Sequence, residues 1–243
     1  MAETGAPLRY KRILLKISGE ALAGGGNECY DAATLDYIAG EIAAALKLKT
    51  QVAVVVGGGN IVRGEMLSKS MDVDRVAADY MGMLATVING MALESALAKS
   101  GVPARMQTAL NAEQVAAPYI REKAAKHLEA GRVMIFCGGT GNPFFSTDTA
   151  AALRASEMGA DALLKATNVD GVYSSDPARF ADARRYETLP MDDALNQKLQ
   201  VMDATALALC RERKLPVHVF RLTAPGALCG VLAGEAPGTL LTC

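Results

Sequence analysis

Apolar residues follow two rhythms along this chain. Short runs dominated by Ile, Leu and Val alternate with longer stretches whose apolar residues recur every three or four positions. The first rhythm suits strands buried on both faces, and the second suits amphipathic helices. Strands are expected at 12–17, 52–56, 104–108, 133–136, 162–166, 216–220 and 239–242. Leu35, Ile38, Ile42 and Leu46 predict a helix over 32–49. Further helices are expected over 75–99, 113–130, 149–158 and 202–214. Gly82 and Gly90 are two points where the 75–99 helix could break, and Gly101 and Pro103 end it. Met81, Met83, Leu84, Val87, Ile88, Met91 and Leu93 put apolar side chains on more than one face of that helix, so burial on more than one side is expected. Strands alternating with helices predict a three-layer α/β/α sandwich around a largely parallel sheet.

A length of 243 residues can bury a sizeable core without disulfide or metal staples. With no long linker or repeat, residues 1–243 read as a single domain, with an appended loop-rich lobe around 168–215. The formal charge of −1 argues against a nucleic-acid binder, which needs clustered basic residues, and those of this chain are scattered apart from Arg184-Arg185 and the mixed run 211–214. Five cysteines without paired spacing argue against a zinc site and a disulfide framework. Nothing at the N-terminus reads as a signal peptide, and no apolar run reaches the roughly 18 residues of a membrane span. A cytoplasmic protein without membrane contact is expected.

Glycines mark where the chemistry concentrates. The first strand runs into Ser18 and Gly19, the second into Gly57, Gly58, Gly59 and Asn60, and the 133–136 strand into Gly138, Gly139, Thr140, Gly141 and Asn142. Ligands of open α/β sheets bind beyond the carboxyl ends of strands. Glycines there let backbone N–H groups approach an anion. One such loop is weak evidence, because tight turns use glycine anyway; three on one sheet edge point to phosphate. Neither GxxxxGK[ST] nor a strand-linked GxGxxG occurs, so the known fingerprints of Walker-type kinases and dinucleotide-binding folds are missing.

Lys16 ends an otherwise apolar strand, a costly place for a cation unless an anion meets it; a snorkelling lysine is the bland alternative. Arg63 follows the triple glycine, where it could equally be an ordinary surface arginine. Ser146, Thr147, Asp148 and Thr149 open a helix and would cap it whatever the function. The stretch 168–177 is rich in turn formers and could be only an elaborate loop. His127 and His218 receive no catalytic role.

Together, Lys16 to Gly19, Gly57 to Asn60, the run Thr140, Gly141, Asn142, Pro143, Phe144, Phe145, Ser146, Thr147, Asp148 and the run from Val169 to Pro177 resemble the amino acid kinase superfamily. Within it, residues 140–148 and 79–86 resemble the bacterial UMP kinases, and the likeness runs nearly end to end. The resemblance implies UMP and ATP at the carboxyl edge of the sheet. Lys16, Ile17, Ser18 and Gly19 would touch the ATP phosphates, helped by Gly59 and Arg63, while Thr167, Tyr173 and Asp176 would hold adenosine and ribose. Gly58, Asp79 and the loop Thr140, Gly141, Asn142, Pro143, Phe144, Phe145, Ser146, Thr147 would hold UMP. It further implies a homohexamer inhibited by UTP and commonly activated by GTP. Residues 24–29 lie where relatives vary, which weakens the inference for GTP; Tyr173 stands where relatives often have Phe.

UMP needs no general base, because the second ionisation of a phosphate monoester lies near ~6. The obstacle is repulsion between two polyanions, so positioning and charge neutralisation must supply the catalysis. Lys16, with Mg²⁺ entering on ATP and no metal site of the protein's own, would neutralise the transferring group. Asp148 would orient Lys16, Asp203 would join that network unless it only caps a helix, and Lys165 would face the phosphates. Two other readings stay open at this stage: a kinase of the same superfamily acting on glutamate, aspartate or carbamate, and a sensor of uridine nucleotides without turnover.

Overall fold

Val52, Val54 and Val56 turn to one face of their strand and Ala53 and Val55 to the other, and all five are buried. A sheet whose central strands are apolar on both faces has to be covered on both. In the computed structural model, which describes residues 8–24, 28–63, 66, 72–177, 179–180, 182–199, 201–235 and 237–243, helices do cover both faces. The strands are β1 (Arg12–Ile17), β2 (Gln51–Val56), β3 (Ala104–Thr108), β4 (Ala117–Pro118), β5 (Val133–Cys137), β6 (Ala162–Thr167), β7 (Thr188–Pro190), β8 (Val217–Arg221) and β9 (Thr239–Thr242). They form one sheet in the order β4-β3-β5-β2-β1-β6-β8-β9-β7. Every pairing is parallel except β8 with β9.

The helices are α1 (Ala32–Lys47), α2 (Arg75–Lys99), α3 (Arg121–Glu129), α4 (Thr147–Met158), α5 (Met191–Asn196), α6 (Ala204–Glu212) and α7 (Ala227–Ala233), with a 3-10 turn at Gly19–Ala23. One core holds Ile13, Leu15 and Ile17 of β1 against α1, α2 and α7. The other holds Leu14 of β1 against α3, α4, α5 and α6. Each fully buried Ile, Leu or Val contributes roughly 1.5–3 kcal/mol, so these two layers carry the fold. The expected α/β/α sandwich with a largely parallel sheet is what the chain adopts.

Several expectations need correction. The helix expected over 113–130 begins only at Arg121. Pro118 has no N–H to give a helix and disfavours helical backbone just before it, so Ala117 and Pro118 pair with β3 instead. Helix α2 runs unbroken through Gly82 and Gly90. A Cβ on Gly90 would lie 2.3 Å from Cys137 Sγ, so this glycine serves close packing of helix on sheet rather than a break. Helix α1 stops at Lys47, two residues early, with Lys49 in left-handed backbone. The 3-10 turn, β7, α5 and α7 carry too few residues to show a rhythm, and the sequence did not reveal them.

By length and composition α2 could cross a membrane, yet half of its most apolar stretch is buried in the fold. Of residues 24–29, which bear on the expected GTP response, 25–27 lie outside the described residues.

Candidate active site

Strand β1 pairs with β2 on one side and β6 on the other, and in that register Lys16 stands opposite Lys165. Both lysines therefore point from the same face near the carboxyl edge, the usual ligand edge of an open parallel sheet. Asp148, in the first turn of α4, meets both. Its Oδ1 lies 2.8 Å from Lys16 Nζ and its Oδ2 2.6 Å from Lys165 Nζ. Lys165 also donates to the carbonyl of Val201.

The three groups are largely withdrawn from water, with side-chain exposures of 9, 13 and 14% for Lys16, Asp148 and Lys165. Burial alone would raise the carboxyl of Asp148, but the two ammonium groups outweigh it and hold it below the ordinary carboxylate range. Burial pulls Lys165 below the ordinary lysine value, against the opposing charge of Asp148. A carboxylate held this way is a poor proton acceptor and a good anchor. The cap of α4 is Ser146, whose Oγ accepts from the N–H groups of Asp148 and Thr149 at 3.0 and 3.2 Å. Asp148 is thus released from capping and free to hold the lysines.

Asp203 both caps α6 and joins that helix to α4. It accepts from Ala206 N at 2.9 Å, from Thr149 Oγ1 at 2.9 Å and from the hydroxyl of Ser146. Two helix N-termini therefore converge on one carboxylate, close to the residues that hold Lys165. Sequence reasoning missed Thr149, because a threonine in a first helical turn looks ordinary.

The glycine loops lock together. A Cβ on Gly19 would sit 2.6 Å from Gly59 N and 2.5 Å from Asn60 Oδ1, so only glycine allows the first two loops to touch. Buried Asn89 of α2 fixes the second loop by donating to Gly57 O and Asn60 Oδ1, each at 2.6 Å. It accepts from Tyr30 OH at 2.7 Å. A polar residue on the core face of an apolar helix was the missed signal for Asn89. Gly58 packs against α2, where a Cβ would be 2.8 Å from Gly82 O. Gly138 of the third loop has φ +75° and donates its N–H to Thr86 Oγ1 at 2.7 Å.

Other expected site residues have protein partners of their own. Arg63 pairs with Glu20 at 2.6 Å, beside Gly59. Asp79 takes Arg75 Nε at 2.9 Å and the N–H of Phe144, which has φ +71°, at 2.8 Å. Asp79 thus ties α2 to the 140–147 loop. In that loop Thr140 Oγ1 accepts from Asn142 N at 3.2 Å, and Phe144 and Phe145 are exposed. Gly141 and Pro143 shape its turn, and Thr147 Oγ1 would lie 3.5 Å from a Cβ on Gly57. Thr140, Asn142 and Phe145 also line a cavity of about 710 Å³ with Leu153 and Leu209, apart from the lysines.

On the 168–215 side, Thr167 Oγ1 donates to Val169 O at 2.6 Å, Tyr173 OH to Asp170 at 2.9 Å, and Asp176 faces Arg179 at 3.3 Å. Ser18 caps the 3-10 turn, and Ile17 is wholly buried, so it can offer a ligand only its backbone.

The sequence model of the amino acid kinase family matches residues 11–221. Among solved structures, UMP kinase from Bacillus anthracis is 42% identical with a TM-score of 0.93, covering 98% of this chain and 97% of its own. UMP kinase from Ureaplasma parvum is 41% identical with a TM-score of 0.91, covering 97 and 100%. Uridylate kinase from Archaeoglobus fulgidus is 28% identical with a TM-score of 0.75, covering 95 and 99%.

Proposed function

The chain belongs to the amino acid kinase family, and we propose that within it the protein transfers the γ-phosphoryl group of ATP to UMP, giving UDP. The observation that carries this reading is the buried Lys16–Asp148–Lys165 cluster at the carboxyl edge of the sheet. Two ammonium groups held by one carboxylate leave a net positive charge where two polyanions must meet. That charge lowers the barrier by stabilising the transferring phosphoryl group, and the interlocked glycine loops offer backbone N–H groups to the same end. Asp148 orients the lysines and takes no proton. Asp203 aligns the 140–147 loop with α6, and so the acceptor side with the donor side.

Gly58, Asp79 and residues 140–147 take the acceptor. Lys16, Ile17, Ser18, Gly19, Gly59 and Arg63 take the donor phosphates, and Thr167, Tyr173 and Asp176 its nucleoside. The chain acts as one unit, with 168–215 as its nucleotide-binding lobe.

Among the described residues no three His, Cys, Asp or Glu side chains gather as a metal site. Asp148 and Asp203 are both engaged by protein partners. Mg²⁺ therefore fits best as an ion entering with ATP, held by phosphate oxygens and water, where it supplies charge neutralisation. The outer face of α2 exposes Met81, Leu84, Ile88 and Met91 at 42 to 51%. A second copy of this chain covers that stripe, as the first step of a homohexamer. Inhibition by UTP and a cytoplasmic site of action follow from the family resemblance; activation by GTP follows from it less firmly, because residues 24–29 lie where relatives vary.

A coupled assay of nucleoside diphosphate formation tests the reaction, with UMP, CMP, dUMP, glutamate, aspartate and carbamate as acceptors. UMP should be the preferred acceptor, with activity lost in EDTA and restored by Mg²⁺. Turnover of an amino acid or carbamate in preference to UMP, or ATP binding without turnover, refutes it.

A further inference from the structure

Arg221 ends β8 at the carboxyl edge of the sheet and is exposed there. Its register partner on β6 is Thr167, and two residues back Val219 pairs with Lys165. Side chains two apart on a strand share a face, so Arg221 leaves the sheet on the same face as Thr167 and Lys165. With strands about 4.8 Å apart and about 3.3 Å of rise per residue, its backbone lies roughly 8 Å from that of Lys165 and roughly 12 Å from that of Lys16. An extended triphosphate whose terminal phosphate sits at the two lysines places its inner phosphates in that interval.

The surroundings make the position more telling. Arg185 reaches the same region but is tied to backbone, donating to Asp170 O at 3.1 Å and Gly238 O at 3.3 Å. Asp170, a nearby carboxylate, is bonded to Tyr173. Arg221 is close enough to act electrostatically on both Asp170 and Tyr173. Among the described residues its guanidinium has neither a hydrogen bond nor an ion pair. Exposed arginines are common on any surface. This one, with no hydrogen bond or ion pair among the described residues, stands at the edge that holds the lysine cluster, beside residues assigned to the donor nucleoside.

We infer that Arg221 binds the donor nucleotide, its guanidinium taking an inner phosphate of ATP. The inference rests on the proposed kinase reading and adds to it a residue that neither a glycine loop nor a motif reveals. A guanidinium is suited to this task, since its fork matches two phosphate oxygens at once.

The test uses the full chain and the variants Arg221→Ala and Arg221→Lys, with calorimetric binding of a non-hydrolysable ATP analogue and of UMP, together with steady-state kinetics. Arg221→Ala should bind the ATP analogue about fivefold more weakly, the scale of a charge-assisted contact at a solvated rim. Arg221→Lys should recover part of the loss. The KM for ATP should rise by the same factor while UMP affinity and KM stay within about twofold of wild type. Unchanged affinity for the ATP analogue in Arg221→Ala overturns the inference, and so does an equal loss for UMP, which would mean a general field effect. If the wild type binds the analogue but makes no UDP, the proposed reaction fails while the binding comparison still decides the role of Arg221.

Discussion

Replacing Asp148 with Asn tests the lysine cluster through stability as well as rate. The substitution keeps the shape of the side chain and removes its charge. At 2.8 and 2.6 Å, each ammonium gains about 6 kcal/mol of Coulomb energy from the carboxylate at an effective dielectric of about 20. Desolvation takes back most of that gain, so the intact cluster is not a large stabiliser. The variant is a different matter, because it leaves two cations facing each other in a site largely closed to water. An uncompensated buried charge costs about 3–5 kcal/mol, and Asp148→Asn should be destabilised by that order at pH 7.

The deficit should depend on pH in a defined direction. Lys165 already titrates below its ordinary value because burial disfavours its charged form, and losing Asp148 deepens the shift. A lysine whose folded pKa is depressed leaves the unfolded chain with more bound protons, so stability rises with pH through that window. The gap to wild type should therefore be full at pH 7 and narrow toward pH 10. Urea denaturation followed by circular dichroism at both values reads this directly. Initial rates should fall by about two to three decades, the cost of misplacing a group that stabilises the transition state. A variant as stable as wild type at pH 7, with ordinary turnover, would refute the reasoning.

The remaining predictions are quickly stated. His218 is buried against Tyr10 OH at 2.8 Å, and burial, then the charge of Arg9, lowers its pKa to about 4. Protons bind the unfolded chain first, so about 3 kcal/mol of stability should be lost as pH falls from 6.5 to 4; a His218→Gln variant whose acid-unfolding profile matches wild type would contradict this. Asp79→Ala frees the N–H of Phe144, so the KM for UMP should rise about tenfold and the preference for UMP over dUMP should narrow; unchanged constants would leave Asp79 only a structural tie between α2 and the loop. Leu84→Glu, on the exposed stripe of α2, should break the assembly in light scattering at micromolar concentration, whereas a wild type already monomeric there would end the hexamer proposal.

The framework was legible in the sequence because it rests on periodicity. The parallel strands and α2 carry their rhythm over enough residues to be read, and the glycine clusters mark the edge where the structure brings loops together. Pairing across space was less legible. Lys165 sits late in a buried strand, and only its register opposite Lys16 and its ion pair with Asp148 show that it belongs to a cluster. Asn89 and Thr149 act through hydrogen bonds to residues 32 and 54 positions away, which no local pattern announces. Arg221 is exposed, and its meaning comes only from the strand beside it. Short elements escaped for a different reason: β7 and α5 follow from the context of β9 and α6 rather than from their own few residues.

The central claim is that Lys16 acts on the phosphoryl group in transit from ATP to UMP. Its most direct test is UDP formation from ATP and UMP by wild type and Lys16→Ala, with UMP affinity measured in parallel. Wild type should make UDP, and Lys16→Ala should lose about two to three decades in kcat, or about 3–4 kcal/mol of transition-state stabilisation, while holding UMP nearly as tightly. A Lys16→Ala protein that turns over at the wild-type rate would place the chemistry elsewhere in the molecule.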